Sequence, residues 1–365
     1  MPHRLLPFLC ALSVGCSPDG VRSDTSRPRA DIDSAVVGVI RTLDHSPQPD
    51  AQLRLGSNTQ EADLAGMAIT LHIPPGTVPA SGILTDHTTA YAPVQVQSGW
   101  DAAVQLYVVP LTTYTADVVQ GALALDAPDA FSLVTEDEGL WLNDAPANDA
   151  LELRAAVVDR TSSLAMPGSL NALSLETIIE PITLFHAIRF LRPSEGDWRF
   201  DTPGILTIEV DADDPVRQAE DLYWYWYSPD QGFWRRAGEA TLEGDQVSGP
   251  VSLFAWWALG SPTVKDQGCV QGRVEASDGS PVALAEVLIS SPERFGTRRT
   301  QTGFHGEFCI QTPLDVTVEA QVFGMSQTTG ARFIGASEFS TQAAIGTCDQ
   351  LCDDIGVIPT EGVGR

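Results

Sequence analysis

Cysteines are the residues whose types and positions most directly imply chemistry in this chain of 365 residues. Cys10 and Cys16 lie near the N-terminus, and four more lie within the last hundred residues: Cys269, Cys309, Cys348 and Cys352. In an exported chain an even set predicts two disulfide bonds, with three ways of pairing them. Zinc is the competing chemistry, but the four contain no C-x-x-C pair, and His305 is the only histidine in that region.

The N-terminus has the pattern of an export signal. His3 and Arg4 give a short basic start, and the apolar run of residues 5–14 ends at Gly15-Cys16. Such a run is too short to cross a bilayer but suits the apolar core of a secretory signal. The segment resembles the lipobox of bacterial lipoproteins, in which the cysteine becomes the lipid-modified first residue after cleavage. The resemblance predicts a signal peptide over residues 1–15 and lipidation at Cys16, and a plain secretory signal is the alternative.

Residues 16–34 predict a flexible tether. They are rich in serine, aspartate, arginine and proline, a composition that cannot bury a core. In the lipoproteins that this segment resembles, an aspartate after the cysteine often directs retention in the inner membrane. Ser17 stands there in this chain, so we expect an outer-membrane lipoprotein of the cell envelope.

Charge and missing motifs limit the function. A formal charge of −27 would repel a polyphosphate backbone, so we expect no nucleic-acid partner. Lys265 is the only lysine, which excludes a P-loop or a lysine Schiff base elsewhere. The chain has no H-E-x-x-H or G-x-S-x-G motif, and no G-x-G-x-x-G follows a predicted strand. We therefore expect no cofactor and no enzymatic activity, and a secreted hydrolase with an unrecognised acidic site is kept as an alternative.

One acidic group has the residue types of a calcium site. Asp211, Asp213 and Asp214 supply the hard oxygen ligands that calcium prefers. Pro215 falls where an EF-hand needs its third side-chain ligand, which excludes that loop. A solvated acidic hairpin is the favoured interpretation, and calcium binding by the three aspartates is the alternative.

The elements that carry these groups are predicted to be strands. Residues 67–74 alternate apolar and other side chains, with Met67, Ile69, Leu71 and Ile73 on the predicted inner face. Pro75-Gly76 then predicts a turn, and residues 69–79 resemble the corresponding strand and turn of ZU5 interaction domains. Residues 181–191 stay open between a short helix and a strand, because their apolar residues do not alternate cleanly. Residues 35–261 are predicted to form an aromatic-rich β region of one large or two smaller domains.

An aromatic hairpin is the most distinctive part of that region. The run of residues 223–227 places two tryptophans on one face of a strand and three tyrosines on the other, and residues 228–232 predict the turn. Tryptophans at strand period are expected to fill a sandwich interior. Tyr223, Tyr225 and Tyr227 are then the outward-facing candidates for contact with a ligand such as a surface glycan.

The composition changes at Ser261-Pro262, which predicts a final domain over residues 262–365. All eight tryptophans and all six tyrosines precede this point. The motifs after it are Gly272-Arg273-Val274, then Asp278-Gly279-Ser280-Pro281 before Ala285-Glu286-Val287, then Thr302 to Phe308. They resemble the pattern of carboxypeptidase regulatory-like, transthyretin-like β-sandwich domains. The resemblance covers about residues 268–359 and implies an accessory module without catalysis; Leu284 stands where the family often has glycine.

Within that domain one disulfide pairing is preferred. Cys269 begins the first predicted strand and Cys309 lies in a core strand, so we expect a bond between them. Cys348 and Cys352 would then close a short local loop.

The sequence as a whole predicts an all-β fold of tandem β-sandwich domains, the last one transthyretin-like or Ig-like, behind a signal peptide and a flexible tether. The expected function is non-catalytic binding, adhesion or assembly at the cell envelope. The chain would reach the membrane through its lipid anchor and meet a surface glycan or a protein partner. An exported carbohydrate-binding protein is the second alternative beside the hydrolase.

Overall fold

A computed structural model gives the architecture of the chain. It describes residues 34–128, 130–158, 164–168, 170–173, 179–262, 267–291, 297–313, 316–325, 332–341, 348 and 352–363. Across these residues the regular structure is β-strand, with short 3-10 turns and no α-helix. The described residues include no helix of a length and hydropathy that would let it cross a membrane. The prediction of an all-β fold of tandem sandwiches is confirmed, and the strands form three successive modules.

Module 1, residues 35–109, is a sandwich of two sheets. Its strands are β1 (Val36–Arg41), β2 (Gln52–Leu55), β3 (Asn58–Glu61), β4 (Met67–Thr70), β5 (Gly76–Ile83), β6 (Ala90–Val96) and β7 (Ala102–Tyr107). The sheets have the orders β4-β1-β7 and β3-β2-β5-β6. Within the first sheet β1 pairs parallel with β7 and antiparallel with β4. Val36 and Ile40 of β1 point into the core between the sheets.

Strand β4 departs from the predicted alternation. It ends at Thr70, and His72 beyond it has a positive φ of 60°. Ile69 and Leu71 are 40% and 54% exposed, so their predicted inward placement is wrong. The physical reason is that β4 is the edge strand of a three-stranded sheet, where the side chains on one face lie at the rim instead of beneath a second sheet.

Module 2, residues 112–262, holds the largest core. Its strands are β8 (Thr112–Val119), β9 (Ala122–Ala127), β10 (Phe131–Thr135), β11 (Leu140–Leu142), β12 (Ala145–Pro146), β13 (Ala150–Val158), β14 (Asn171–Leu173), β15 (Ile179–Leu191), β16 (Trp198–Phe200), β17 (Gly204–Glu209), β18 (Tyr223–Ser228), β19 (Phe233–Glu239), β20 (Thr241–Glu243), β21 (Gln246–Val251) and β22 (Trp256–Pro262). Twelve of them hydrogen-bond in the order β14-β19-β18-β22-β15-β13-β8-β9-β10-β17-β21-β20. This twelve-stranded sheet, called the ribbon below, folds over at the short β8–β9 pairing. Trp224, Trp257 and Phe190 lie in the core between its two halves.

One end of this ribbon closes on itself. Strand β14 pairs with β19 on one side and with β15 on the other, so β14, β19, β18, β22 and β15 form a five-stranded ring. A closed ring has an interior that side chains must fill. Tyr225, Tyr227, Trp234 and Trp256 belong to a second buried cluster on this side of the sheet. Strand β18 therefore lies between two cores.

Residues 181–191, left open by the sequence, lie within strand β15. Its register against β22 shifts between Leu184 and His186. A bulge of this kind places two residues opposite one and moves the following side chains to the other face. The shift accounts for the broken alternation of apolar residues in this segment.

Module 3, residues 267–363, is a sandwich of two smaller sheets. Its strands are β23 (Gln267–Glu275), β24 (Glu286–Ser290), β25 (Arg298–Gln301), β26 (Glu307–Pro313), β27 (Thr317–Met325), β28 (Arg332–Ser340), β29 (Asp353–Pro359) and β30 (Glu361–Val363). The sheet orders are β26-β23-β29 and β25-β24-β27-β28-β30. Val270, Val287 and Val322 belong to the core between them. The predicted Asp278-Gly279 turn is present, with Gly279 at φ 77° and the Asp278 carboxylate accepting from the Ser280 amide.

Modules 1 and 3 pack on each other through β1 and β27. Val37 and Val39, on the face of β1 opposite the module 1 core, cluster with Phe323 and Met325 of β27. Leu284, just before β24, adds a second connection because its side chain is 3% exposed within the module 1 core. Leu284 has a φ of 52°, the left-handed region that favours glycine, so the side chain reaches module 1 through a strained backbone.

Candidate functional site

The four C-terminal cysteines form two disulfides, but in a different pairing from the preferred one. Cys269 bonds Cys352, and Cys309 bonds Cys348. Strands β23 and β29 are parallel neighbours, which brings the Cα atoms of Cys269 and Cys352 within 4.9 Å. On the other side of β23, Cys309 lies opposite Gln271 and not opposite Cys269. The preferred Cys269–Cys309 and Cys348–Cys352 bonds are therefore wrong, since the sheet register does not align them.

The two disulfides lie against each other. The Sγ atoms of Cys309 and Cys352 are 3.4 Å apart, and those of Cys269, Cys309 and Cys352 all lie within 4.8 Å of one another. Three sulfurs at such spacing have the arrangement of a metal site. Because each is bonded to another sulfur, however, none is the thiolate that zinc requires. The arrangement staples β23, β26 and β29 of module 3 together.

The outward orientation predicted for the tyrosines of β18 is wrong for two of them. Tyr225 is 0% exposed and Tyr227 is 2% exposed, because both point into the closed end of module 2. Burial raises the pKa of both phenols above the ordinary tyrosine value. Tyr223 is half-buried, and the Arg236 guanidinium lies 4.1 Å from its ring centroid. Arg236 in turn pairs with Glu180, so this face offers little aromatic surface to a sugar.

The three aspartates do not converge. Asp214 is buried and caps the 3-10 helix Pro215–Gln218, accepting from the Val216 amide at 3.0 Å. Its other oxygen lies 2.9 Å from Nε2 of His186. Asp211 and Asp213 are exposed. Among the described residues the cysteine cluster is the only group of three or more such ligands that could hold a metal ion, so the aspartates act as a helix cap and surface charge.

Cys16, the predicted lipidation site, lies outside the described residues together with the signal segment and residues 17–33 of the tether. Ser34, the last residue of the predicted tether, is described. Its hydroxyl donates to the Gln97 carbonyl at 2.6 Å, and the next residues enter β1. The described chain therefore begins next to β1, the strand that contacts both module 1 and module 3.

A buried ion pair of module 3 contacts module 1 at the interface between them. Glu286 of β24 and Arg299 of β25 lie 2.8 Å apart with side chains only 4% and 6% exposed. Both also bind the backbone of Gln105 in β7: Glu286 accepts from its amide, and Arg299 donates to its carbonyl at 2.8 Å. Burial raises the pKa of the Glu286 carboxyl, and Arg299 opposes that rise. Charges removed from water are stable only when paired and hydrogen-bonded. Here the Gln105 backbone of module 1 supplies the remaining hydrogen bonds of the pair.

A polar cluster surrounds the buried phenol of Tyr107 beside that ion pair. Its hydroxyl donates to Oε1 of Gln321 at 2.9 Å and lies 3.3 Å from Nδ1 of His45. Burial raises the pKa of Tyr107, and the charge of Arg41 lowers it in part. His45 has a φ of 63°, which is unusual for a residue with a Cβ and occurs where the surroundings hold the backbone in place.

A cavity of about 500 Å³ opens next to this cluster. Module 1 contributes Arg41, His45 and Gln105 to its wall, and module 3 contributes residues from β27 to β30: Glu319, Gln321, Val322, Ile334, Gly335, Ala336, Pro359 and Glu361. The volume is within the range of small-molecule sites. Sequence reasoning missed this cavity because its residues lie on two modules more than 200 positions apart.

Comparisons with known proteins leave the family open. No family model matches the chain, and no curated protein matches it. Among solved structures, the Bacillus anthracis TIE protein overlaps 90% of this chain at 8% identity and a TM-score of 0.21. The chain spans about half, 51%, of that protein's length. The major pilin subunit BcpA of Bacillus cereus overlaps 91% of this chain and 100% of its own at 10% identity and a TM-score of 0.18. A DUF3823 family protein from Bacteroides uniformis overlaps 85% of this chain and 99% of its own at 7% identity and a TM-score of 0.16.

Proposed function

We propose that this chain is a non-catalytic lipoprotein of the cell envelope. Its folded modules form a rigid scaffold that binds partners and is held on a flexible tether. The observation that carries the proposal is the position of Gly15-Cys16, directly where the apolar N-terminal run stops. Two disulfides in module 3 support an oxidising compartment outside the cytoplasm. We place the anchor in the outer membrane because Ser17, and not aspartate, follows Cys16.

Binding, adhesion or assembly is the role that the folded part supports. The resemblance of module 3 to accessory carboxypeptidase regulatory-like domains favours a supporting module without catalysis. Among the groups considered as catalytic or ligand sites, the tyrosines fill a core, Asp214 caps a 3-10 helix and the cysteines are bonded. A carbohydrate-binding role through the tyrosines loses its basis, since Tyr225 and Tyr227 have almost no accessible surface.

Fatty-acid labelling of growing cells tests the anchor. Cells expressing the wild-type chain, Cys16→Ala or Cys10→Ala are fed an alkyne-tagged fatty acid, and the protein is recovered and fractionated. We expect label and membrane retention for the wild type and for Cys10→Ala, whose substitution falls in the removed signal, and loss of both for Cys16→Ala. Retention of labelled Cys16→Ala protein in the membrane would overturn the proposal.

A further inference from the structure

The cysteine cluster of module 3 takes its sulfurs from three adjacent strands. Cys269 lies on β23, Cys309 lies on β26, and Cys352 directly precedes β29. These strands are neighbours in the order β26-β23-β29. Val270 and Ile310, each next in sequence to one of the cysteines, point into the module 3 core, so Cys269 and Cys309 lie on the other face of the sheet. The pairing of the strands therefore brings the sulfurs together, in addition to the bonds between them.

The spacing of the sulfurs fits a four-coordinate metal ion. With zinc–sulfur distances of about 2.3 Å, neighbouring sulfurs of a tetrahedral site are about 3.8 Å apart. The Sγ atoms of Cys309 and Cys352 are not bonded to each other and are 3.4 Å apart. With Cys269 they form a group of three sulfurs that all lie within 4.8 Å of one another. Opening a disulfide needs to separate its two sulfurs only from about 2.0 Å to about 3.8 Å, which side-chain rotation can supply.

Cys348 and Cys352 also have the sequence spacing of a zinc-binding pair. Three residues separate them, which is within the C-x2–4-C range of structural zinc sites. The disulfides do not join this pair to itself, because Cys348 is bonded to Cys309 and Cys352 is bonded to Cys269. Each member of the local pair is thus held beside a cysteine of the sheet. Four sulfurs are in place, and a metal ion requires only that they be thiolates.

From this arrangement we propose that module 3 contains a redox-dependent metal site, in which Cys269, Cys309, Cys348 and Cys352 bind one zinc-type cation after reduction. Each disulfide takes up two electrons and two protons from a dithiol reductant, which is oxidised to a disulfide in turn. The four thiols then lose their protons as the cation binds. A tetrahedral set of four sulfurs favours zinc over magnesium or calcium. The cation holds β23, β26 and β29 together, the same strands that the disulfides hold in the oxidised protein.

Zinc titration of the full chain in detergent, with and without prior reduction, tests the site. A phosphine is the reductant, because a dithiol would itself bind zinc. We expect one zinc per reduced chain with a Kd tighter than about 100 nM, and no such binding by the oxidised chain. Cobalt(II) in place of zinc should show the visible absorption of tetrahedral cobalt together with sulfur-to-cobalt charge transfer. Absence of zinc binding by the reduced chain, or equal binding by the oxidised chain, would overturn the proposal.

Paired substitutions locate the site. Cys309→Ser with Cys348→Ser removes two of the four sulfurs and should weaken zinc binding about 100-fold or more, since loss of an outer partner of a zinc ligand alone costs about 10–100-fold. Cys10→Ala with Cys16→Ala is the matched control, because it removes as many cysteines and leaves the cluster whole. It should bind like the wild type. An equal loss in both double variants would refute the cluster as the site.

Hydrogen exchange of the β23 amides distinguishes the site from thiols on an opened chain. Protection should be high in the oxidised protein, lower in the reduced protein without metal, and high again once zinc is bound. Zinc binding that leaves β23 as unprotected as in the metal-free reduced chain would overturn the proposal. Neither result bears on the lipid anchor, which the fatty-acid labelling of Cys16 tests separately.

Discussion

Leu284 allows the coupling between modules 1 and 3 to be measured at a single residue. Its side chain is buried in the module 1 core, its carbonyl accepts from the Ala103 amide at 3.3 Å, and its φ is 52°. Two opposing terms therefore act at this position. Packing favours a large apolar side chain, whereas the left-handed backbone favours glycine. A comparison of alanine and glycine variants separates the two terms.

The magnitudes follow from ordinary costs. Leu284→Ala removes a buried side chain and should cost about 2–5 kcal/mol in the free energy of unfolding. Glycine in place of alanine removes one more buried carbon, about 0.8 kcal/mol, and adds about 0.5–1 kcal/mol of chain entropy. At Leu284 this is offset by relief of about 1–2 kcal/mol of left-handed strain. We expect Leu284→Gly to be as stable as Leu284→Ala to within about 1 kcal/mol.

Leu106 of β7 is the matched control. It is fully buried in the same core and lies in regular strand, so no strain is relieved there and glycine should be worse than alanine by about 1.5 kcal/mol. Hydrogen exchange of the β1 amides, read by mass spectrometry, reports the opening free energy of the shared sheet for all four variants. An equal glycine penalty at both positions would refute the reasoning, because the backbone of Leu284 would then carry no strain.

Two further predictions concern burial and connectivity. Tyr225 and Tyr227 have raised pKa values in the folded protein, so the folded state keeps protons that the unfolded chain loses above pH about 10. The contribution of these protonated phenols to stability should be fully present below that pH and should fall above it. Ultraviolet titration should show their phenolates only on unfolding. Their ionisation near pH 10 in the intact fold would contradict their burial. A non-reducing peptide map should link Cys269 to Cys352, and a Cys269–Cys309 peptide would contradict the register of β23 and β26. Replacing both Cys269 and Cys352 by serine should lower the free energy of unfolding in urea by about 4.5 kcal/mol, for a loop of 83 residues.

Local patterns predicted the strands, and long-range pairing decided which faces were buried. Alternation over residues 223–227 identified a strand, but not that a ring closed by β14 would cover its tyrosine face. Alternation also failed at Ile69 and Leu71, since an edge strand buries fewer side chains than a central one. The disulfide pairing depended on the parallel neighbourhood of β23 and β29, whose residues are about 80 positions apart. Contacts of that kind leave no periodic signal in the chain.

The contact between modules 1 and 3 was unpredictable for the same reason, and the residue at position 284 shows why. Family likeness placed glycine at the position of Leu284, where glycine would satisfy the backbone and make no contact with module 1. Leucine accepts the strain and inserts into that core. Glu286, two residues later, accepts from the Gln105 amide of module 1 and pairs with Arg299. Glu286 has one partner in its own module, Arg299, and one in module 1. The departure from the expected pattern at Leu284 is explained by the neighbour that module 3 packs against.

The same packing gives β1 a special position if the chain is anchored as proposed. Val36 and Ile40 face the module 1 core, Val37 and Val39 face module 3, and all four are 0% exposed. A force applied at Ser34, the first described residue, enters the fold at this strand. Strand β1 pairs in parallel with β7 over the register from Val36 to Arg41. A pull from the N-terminal end of β1 must therefore shear all hydrogen bonds of this pairing together instead of opening them one at a time. Because β1 is buried on both faces, module 3 must also separate from it, so module 3 stabilises the strand through which such a force enters the fold.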